Sequence, residues 1–124
     1  MKRKFSLWGL LGFMPVILIL LSGCLGASFR TYVLSFQVDQ SWLNAGYYYN
    51  CCFVSVYVDD VKLGDLWTPC ETLKTNVVSG SHSVKVVLYN FCEGYVEDYY
   101  TKSIDVYSDK TIKIYVTYWG TIYF

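Results

Sequence analysis

Cys52-Phe53-Val54-Ser55-Val56-Tyr57-Val58-Asp59-Asp60-Val61-Lys62-Leu63-Gly64-Asp65-Leu66 is the stretch that decides the fold. From Cys52 to Val58, Cys52, Val54, Val56 and Val58 fall on one face and Phe53, Ser55 and Tyr57 on the other. That two-residue period belongs to a strand buried on one side. Asp59-Asp60 then makes a tight turn, because aspartate tolerates positive φ better than most residues, and Val61–Leu66 returns as the hairpin partner.

The same alternation extends in both directions. Upstream, Tyr32, Leu34, Phe36 and Val38 oppose Thr31, Val33, Ser35 and Gln37. Downstream, Leu73–Val78 is a strand, Ser79-Gly80-Ser81 a turn, and Val84, Val86 and Leu88 alternate with Lys85, Val87 and Tyr89. Thr68-Pro69-Cys70 is a loop, since proline cannot donate into a central ladder. Tyr99–Val106 and Thr111–Tyr118 complete about seven short strands with turns every 8–12 residues, the spacing of an all-β antiparallel sandwich. Outside the first two dozen residues no helical stripe stands out.

Composition supports this reading. From Cys24 to the end, 101 residues carry 13 Tyr, 14 Val, 8 Thr and 4 Ile, but only two Ala and no Met. Strand-suited residues are therefore abundant and good helix formers scarce, which excludes a helical bundle. Seven Lys and Arg against ten Asp and Glu in that segment leave a charge of −3. Such a surface opposes phosphate backbones, so no nucleic-acid partner is expected.

The beginning of the chain reads as an export signal. Lys2-Arg3-Lys4 precedes an uncharged run that lasts to Phe29, with an apolar core from Leu7 to Leu21 and then Leu21-Ser22-Gly23-Cys24. Leu-Ser-Gly-Cys resembles the lipobox of bacterial lipoproteins. That resemblance implies that Cys24 becomes the mature N-terminus and carries lipid. The expected organisation is a signal peptide over 1–23, a lipidated cysteine and tether over 24–30, and the sandwich over 31–124. The alternative is a retained anchor, although Phe5–Leu21, 17 residues long and interrupted by Pro15, is at the lower limit for spanning a bilayer. Either way the folded part is expected outside the cytoplasm, held to a membrane of the cell envelope. In a host with two membranes that means the outer membrane or cell surface, because Leu25 stands where aspartate would favour inner-membrane retention.

Cys51, Cys52, Cys70 and Cys92 remain, an even number that favours disulfides in an exported domain. A direct Cys51–Cys52 bond would need a strained ring, so each is expected to pair separately with Cys70 or Cys92, in either arrangement. Neither metal nor redox spacing is present, because there is no C-x-x-C and His82 is the only histidine. No metal or other cofactor is expected.

A second resemblance emerges along the strands. Val56-Tyr57-Val58-Asp59, Leu63-Gly64, Thr68-Pro69, Gly80-Ser81-His82-Ser83-Val84 and Gly94-Tyr95 occur in the order found in PEGA-type domains, small β-sandwich modules of prokaryotic surface proteins. The likeness covers roughly Cys52–Tyr118. Asp60 stands where that family has glycine, and the His82–Gly94 segment is longer than its norm. The resemblance implies an extracytoplasmic, non-catalytic structural or interaction module and supplies no catalytic residue.

His82 offers no convergent partners for a triad, and Glu93, Glu97 and Asp98 read as solvated turn acids; no enzyme activity is expected. The strongest functional signal is aromatic. Tyr47, Tyr48 and Tyr49, together with Trp42 and Tyr99-Tyr100, exceed what the strands must bury, and consecutive tyrosines in a loop cannot all face a core. Exposed rings of this kind stack on sugars or anchor protein partners. The expected role is thus a lipid-anchored envelope structural or protein-interaction module, with a carbohydrate-binding module using these tyrosines as the alternative.

Overall fold

A computed structural model describes residues 30–124; the expected signal peptide, Cys24 and most of the tether lie outside the described residues. Among the described residues, eight strands form two four-stranded sheets. In chain order they are β1 (Thr31–Val38), β2 (Cys52–Val58), β3 (Val61–Leu66), β4 (Leu73–Val78), β5 (Gly80–Asn90), β6 (Tyr95–Val106), β7 (Lys110–Val116) and β8 (Ile122–Tyr123). A 3-10 turn, Gln40–Asn44, and one short helix, α1 (Tyr47–Cys51), bridge β1 and β2. One sheet has the order β4-β1-β7-β8 and the other β3-β2-β5-β6. The all-β sandwich expected from the alternation is thus present.

Among the described residues the pairings are antiparallel with one exception. β1 and β7 run parallel, Leu34 facing Lys110 and Val38 facing Ile114. Parallel neighbours cannot be joined by a tight hairpin, and here the whole chain between them makes the crossover. Period-two patterning marks a buried face but not the direction of the neighbouring strand, so this pairing departs from the expected purely antiparallel arrangement.

The core sits between the sheets and consists of the residues on the alternating faces. Leu34, Phe36 and Val38 from β1, with Ile112, Ile114 and Val116 from β7, meet Val54 and Val56 from β2 and Val84, Val86 and Leu88 from β5. Full burial of such side chains contributes about 1.5–3 kcal/mol each relative to exposure. The β2–β3 hairpin turns through Asp59 (φ 50°) and Asp60 (φ 68°), both left-handed. Two left-handed central residues match the twist of the flanking strands. Val56 faces Gly64 and Tyr57 faces Lys62, so Leu63 forms a bulge. A second register shift lies between Leu88 and Tyr89, where β6 accommodates Glu97.

The sandwich has two distinct ends. β1 begins at one of them, beside the Asp59-Asp60 turn, the Ser79 crossover and the Tyr107–Asp109 turn. The registers Thr31–Val78, Val58–Val84 and Gly80–Val106 place these together. At the other end lie α1, the β3–β4 loop, the β5–β6 turn and the β7–β8 turn, aligned by Cys52–Asn90 and Asn90–Tyr95. The eleven-residue β5 runs from one end to the other, roughly 33 Å at about 3.3 Å per residue.

Candidate functional site

The site is assembled at the end farthest from Thr31. Its first element starts at Gly46, whose φ of 59° lets the backbone turn. The N–H groups of Tyr49 and Asn50 then donate to the Gly46 carbonyl at 3.1 and 3.2 Å. The chain coils for the five residues of α1, and at Cys52 it becomes a strand (φ −130°, ψ 157°).

This change of conformation separates the adjacent cysteines. Cys52 joins the core face of β2, 1% exposed, and burial pushes its thiol up to about 11, with Glu97 adding to the effect. Cys51 instead bonds to Cys92, the Cα atoms 5.2 Å apart. Half of one expected framework is therefore present. The other half is not: among the described residues Cys52 is buried and free, and Cys70 is exposed and free in the β3–β4 loop. The alternation rule that placed Cys52 inward is the physical reason it cannot reach that loop.

Asn90, fully buried, holds this end together. Its Nδ2 donates to Tyr47 Oη at 3.1 Å and to Glu97 Oε2 at 2.8 Å, and its Oδ1 accepts from the Glu93 N–H at 2.9 Å. Tyr47 Oη in turn donates to Glu93 Oε2 at 3.3 Å. The Phe91 N–H donates to the Cys51 carbonyl at 2.8 Å. A buried polar network satisfied in this way fixes the geometry of what it touches. The carboxylate of Glu97 beside Tyr95 raises that phenol above its ordinary value.

The second element is the β7–β8 turn. Thr117 Oγ1 accepts from the N–H groups of Trp119 and Thr121, each at 3.2 Å, and lies 2.6 Å from Thr121 Oγ1. Gly120, at φ 80°, closes the turn directly against Tyr48: a Cβ there would stand 2.7 Å from the Tyr48 ring. The turn thrusts Tyr118 and Trp119 outward, ring centroids 5.5 Å apart and edge-to-face, with Trp119 80% exposed. Ala45, Tyr47, Tyr48, Tyr118 and Trp119 enclose a cleft of about 290 Å³.

Of the ring residues singled out by sequence, Tyr47 and Tyr48 line this cleft. Tyr49 is half-buried against the core. Trp42 is fully buried, its ring 5.2 Å edge-on from Tyr49, so it is a core residue and not a surface contact. The 3-10 turn rolls it inward, and its Nε1 is the one buried side-chain polar atom without a partner among the described residues. Tyr118 and Trp119 were not singled out. The signal that points to them is the aromatic pair immediately before Gly120, where the alternation of β7 ends.

A second aromatic group lies on the outer face of the β3-β2-β5 sheet at the same end. Phe53 packs 4.5 Å from Trp67, 5.3 Å from Tyr89 and 6.4 Å from Phe91, and Trp67 and Phe91 are 5.5 Å apart. Trp67 and Phe91 remain about half exposed.

The opposite end is built differently. His82, 8% exposed, donates from Nε2 to the Val78 carbonyl and from Nδ1 to Asp59 Oδ2, both at 2.6 Å. The Ser83 N–H donates to Asp59 Oδ1 at 2.9 Å. The hydrogen bond to Asp59 is the main cause that raises His82 above its ordinary value, and the same bond lowers Asp59. With acceptors at both ring nitrogens, the imidazolium is a fastener between the β2–β3 turn and the end of β4. No nucleophile completes a catalytic set around it among the side chains hydrogen-bonded to it. A shallow groove of about 360 Å³ runs beside it between Val58–Leu63 and Thr75–Val78.

Comparison with known proteins finds no matching family model, no matching curated protein and no matching solved structure.

Proposed function

We propose that this protein is a lipid-anchored, non-catalytic module of the cell envelope that presents the aromatic end of its sandwich to a partner. The observation that carries this reading is polarity. The strand nearest the lipobox, β1, enters at one end, whereas Tyr47, Trp67, Phe91, Tyr95, Tyr118, Trp119 and Tyr123, all exposed, gather toward the other. The processed chain has seven residues from Cys24 to Arg30, a reach of at most roughly 25 Å. A lipid at Cys24 thus keeps the Asp59-Asp60 end near the membrane and the rings away from it. The Phe53–Trp67–Tyr89–Phe91 group has the aromatic character of a protein-interface centre, and an envelope protein is the partner proposed for it.

Site-specific photo-crosslinking in native membranes tests this. A crosslinker at Trp67 captures a discrete envelope protein, whereas one at Asp60 captures none. Equal capture at both positions, or recovery of the intact chain from cytosol with its leader uncut, overturns the reading. A second reading, glycan binding, is favoured by the separate cleft at Tyr48 and Trp119.

A further inference from the structure

We propose that Tyr47, Tyr48, Tyr118 and Trp119 form a binding site for one uncharged pyranose ring of a glycan, with Trp119 as the stacking platform. This rests on the glycan-binding reading above, and it adds the ligand class, the size of the ligand unit and the two residues of the β7–β8 turn.

Four observations carry it. The first is that Trp119 is held in water by design of its turn. An indole 80% exposed on a loose loop would collapse onto the sandwich, but Thr117 Oγ1 accepts the backbone N–H groups of Trp119 and Thr121, and this fixes the backbone of the turn. A ring carried on a fixed turn loses less entropy on stacking than one on a loose loop. The axial C–H groups of a pyranose present an apolar face that suits such a π surface.

The second is the opposing wall. Tyr48 is pressed against Gly120, and Tyr47 is pinned through its hydroxyl by Asn90 and Glu93. The rings therefore stand in place before a ligand arrives, and Tyr48 and Tyr118 bring hydroxyls that can meet sugar hydroxyls. The third is size. About 290 Å³ is at the lower limit of small-molecule sites, room for one ring rather than a length of chain.

The fourth concerns the occupant. Glu93 beside Tyr47, and a charge of −3 from Cys24 onward, oppose phosphate, sulfate and uronate groups. These charges, beside an exposed indole, favour an uncharged ring with one apolar face.

The test is tryptophan emission and calorimetry on the full-length lipidated protein in detergent, titrated with gluco-, galacto- and N-acetylglucosamine oligosaccharides and with an oligogalacturonate. At least one neutral series should give saturable binding, and the oligogalacturonate should bind at least about tenfold more weakly. Trp119→Ala should weaken binding by about tenfold or more, and Gly120→Ala, which displaces Tyr48, should do the same. Tyr107→Ala, at the tether end, should leave affinity unchanged. Trp119 is so exposed that its removal leaves folding intact, which circular dichroism checks. Silence with every neutral series overturns the sugar site, as does equal loss in Tyr107→Ala. So does a dimer, seen by analytical ultracentrifugation, that Trp119→Ala dissolves, since a second copy then fills the cleft. The crosslink at Trp67 is read separately, so the sugar site can fail while the envelope module stands.

Discussion

The two ends of this sandwich are made from the same strands yet are held in different ways. At the Thr31 end, the connections are tight turns and the fastening is a single charged hydrogen-bonded group, Asp59–His82–Val78. Asp109 adds to it by accepting the Val33 N–H at 2.8 Å, where β1 begins ahead of its first partner on β7. At the aromatic end, the connections are longer, a disulfide crosses between α1 and the β5–β6 turn, and a buried asparagine ties three segments. Longer connections, which free side chains for contact, are fastened here by a covalent bond and a buried asparagine, whereas the tight turns manage with one buried imidazole and exposed carboxylates.

The largest way to break the contrast is to remove the disulfide. Joining residues 41 apart stabilises by about 4 kcal/mol in the chain-entropy model. Cys51→Ser with Cys92→Ser should lower the urea midpoint accordingly, and amide exchange should rise at α1 and the β5–β6 turn while the β1–β4 ladder stays protected. In the native protein, non-reducing mass mapping should find Cys70 alkylated readily and Cys52 only after unfolding.

Asn90→Ala comes next. It leaves Glu97 and Tyr47 without their donor and removes the acceptor for Glu93, at a cost of about 3 kcal/mol. The check is thermal unfolding together with the loss of fixed near-ultraviolet signals from Tyr47.

At the opposite end, His82→Ala should cost about 2 kcal/mol, and its signature is the pH profile. His82 is raised above 6.5, so its contribution is complete below that value and is lost as pH rises through the folded-state value. Asp59 is lowered below 3.8, so its contribution is present above that value and is lost as pH falls through the folded-state value. Stability attributable to this pair is therefore greatest in mildly acidic solution between those limits. In His82→Ala the decline on the alkaline side should flatten, while the Asn90 variant should keep the native slope. An unchanged alkaline slope in His82→Ala would show that the imidazole is not the fastener.

The smallest effect sharpens the comparison in the other direction. Asp60→Gly relieves a left-handed aspartate at a position whose carboxylate makes no contact used by the clasp, and should gain about 0.5 kcal/mol. Asp59→Gly, which also removes the His82 and Ser83 partners, should lose stability instead. Paired denaturation curves distinguish the two turn positions.

Much of the fold was legible because burial has a period. Leu34, Phe36 and Val38, then Val54 and Val56, then Val84, Val86 and Leu88 announce their faces in the chain and occupy them in the structure. What periodicity does not encode is pairing at a distance. The parallel contact of β1 with β7 depends on residues some 76 apart, and nothing local to either strand specifies direction. Nor does a five-residue helix leave a 3.6-residue stripe, so Tyr47–Cys51 read as loop. The cleft was half legible. The tyrosine run was visible because consecutive rings cannot share one core face. Trp119 was hidden in what read as strand end, and Trp42 was misplaced because nothing in Ser41-Trp42-Leu43 says which side of a 3-10 turn meets the core.

The position of β1 within its sheet has a mechanical consequence. It is an inner strand, flanked by β4 on one side and by β7 on the other, so any pull delivered through the chain ahead of Thr31 acts along the strand and across two rows of backbone bonds at once. Such loading shears many bonds simultaneously instead of unzipping them one by one. A body loaded through an inner strand resists being peeled open.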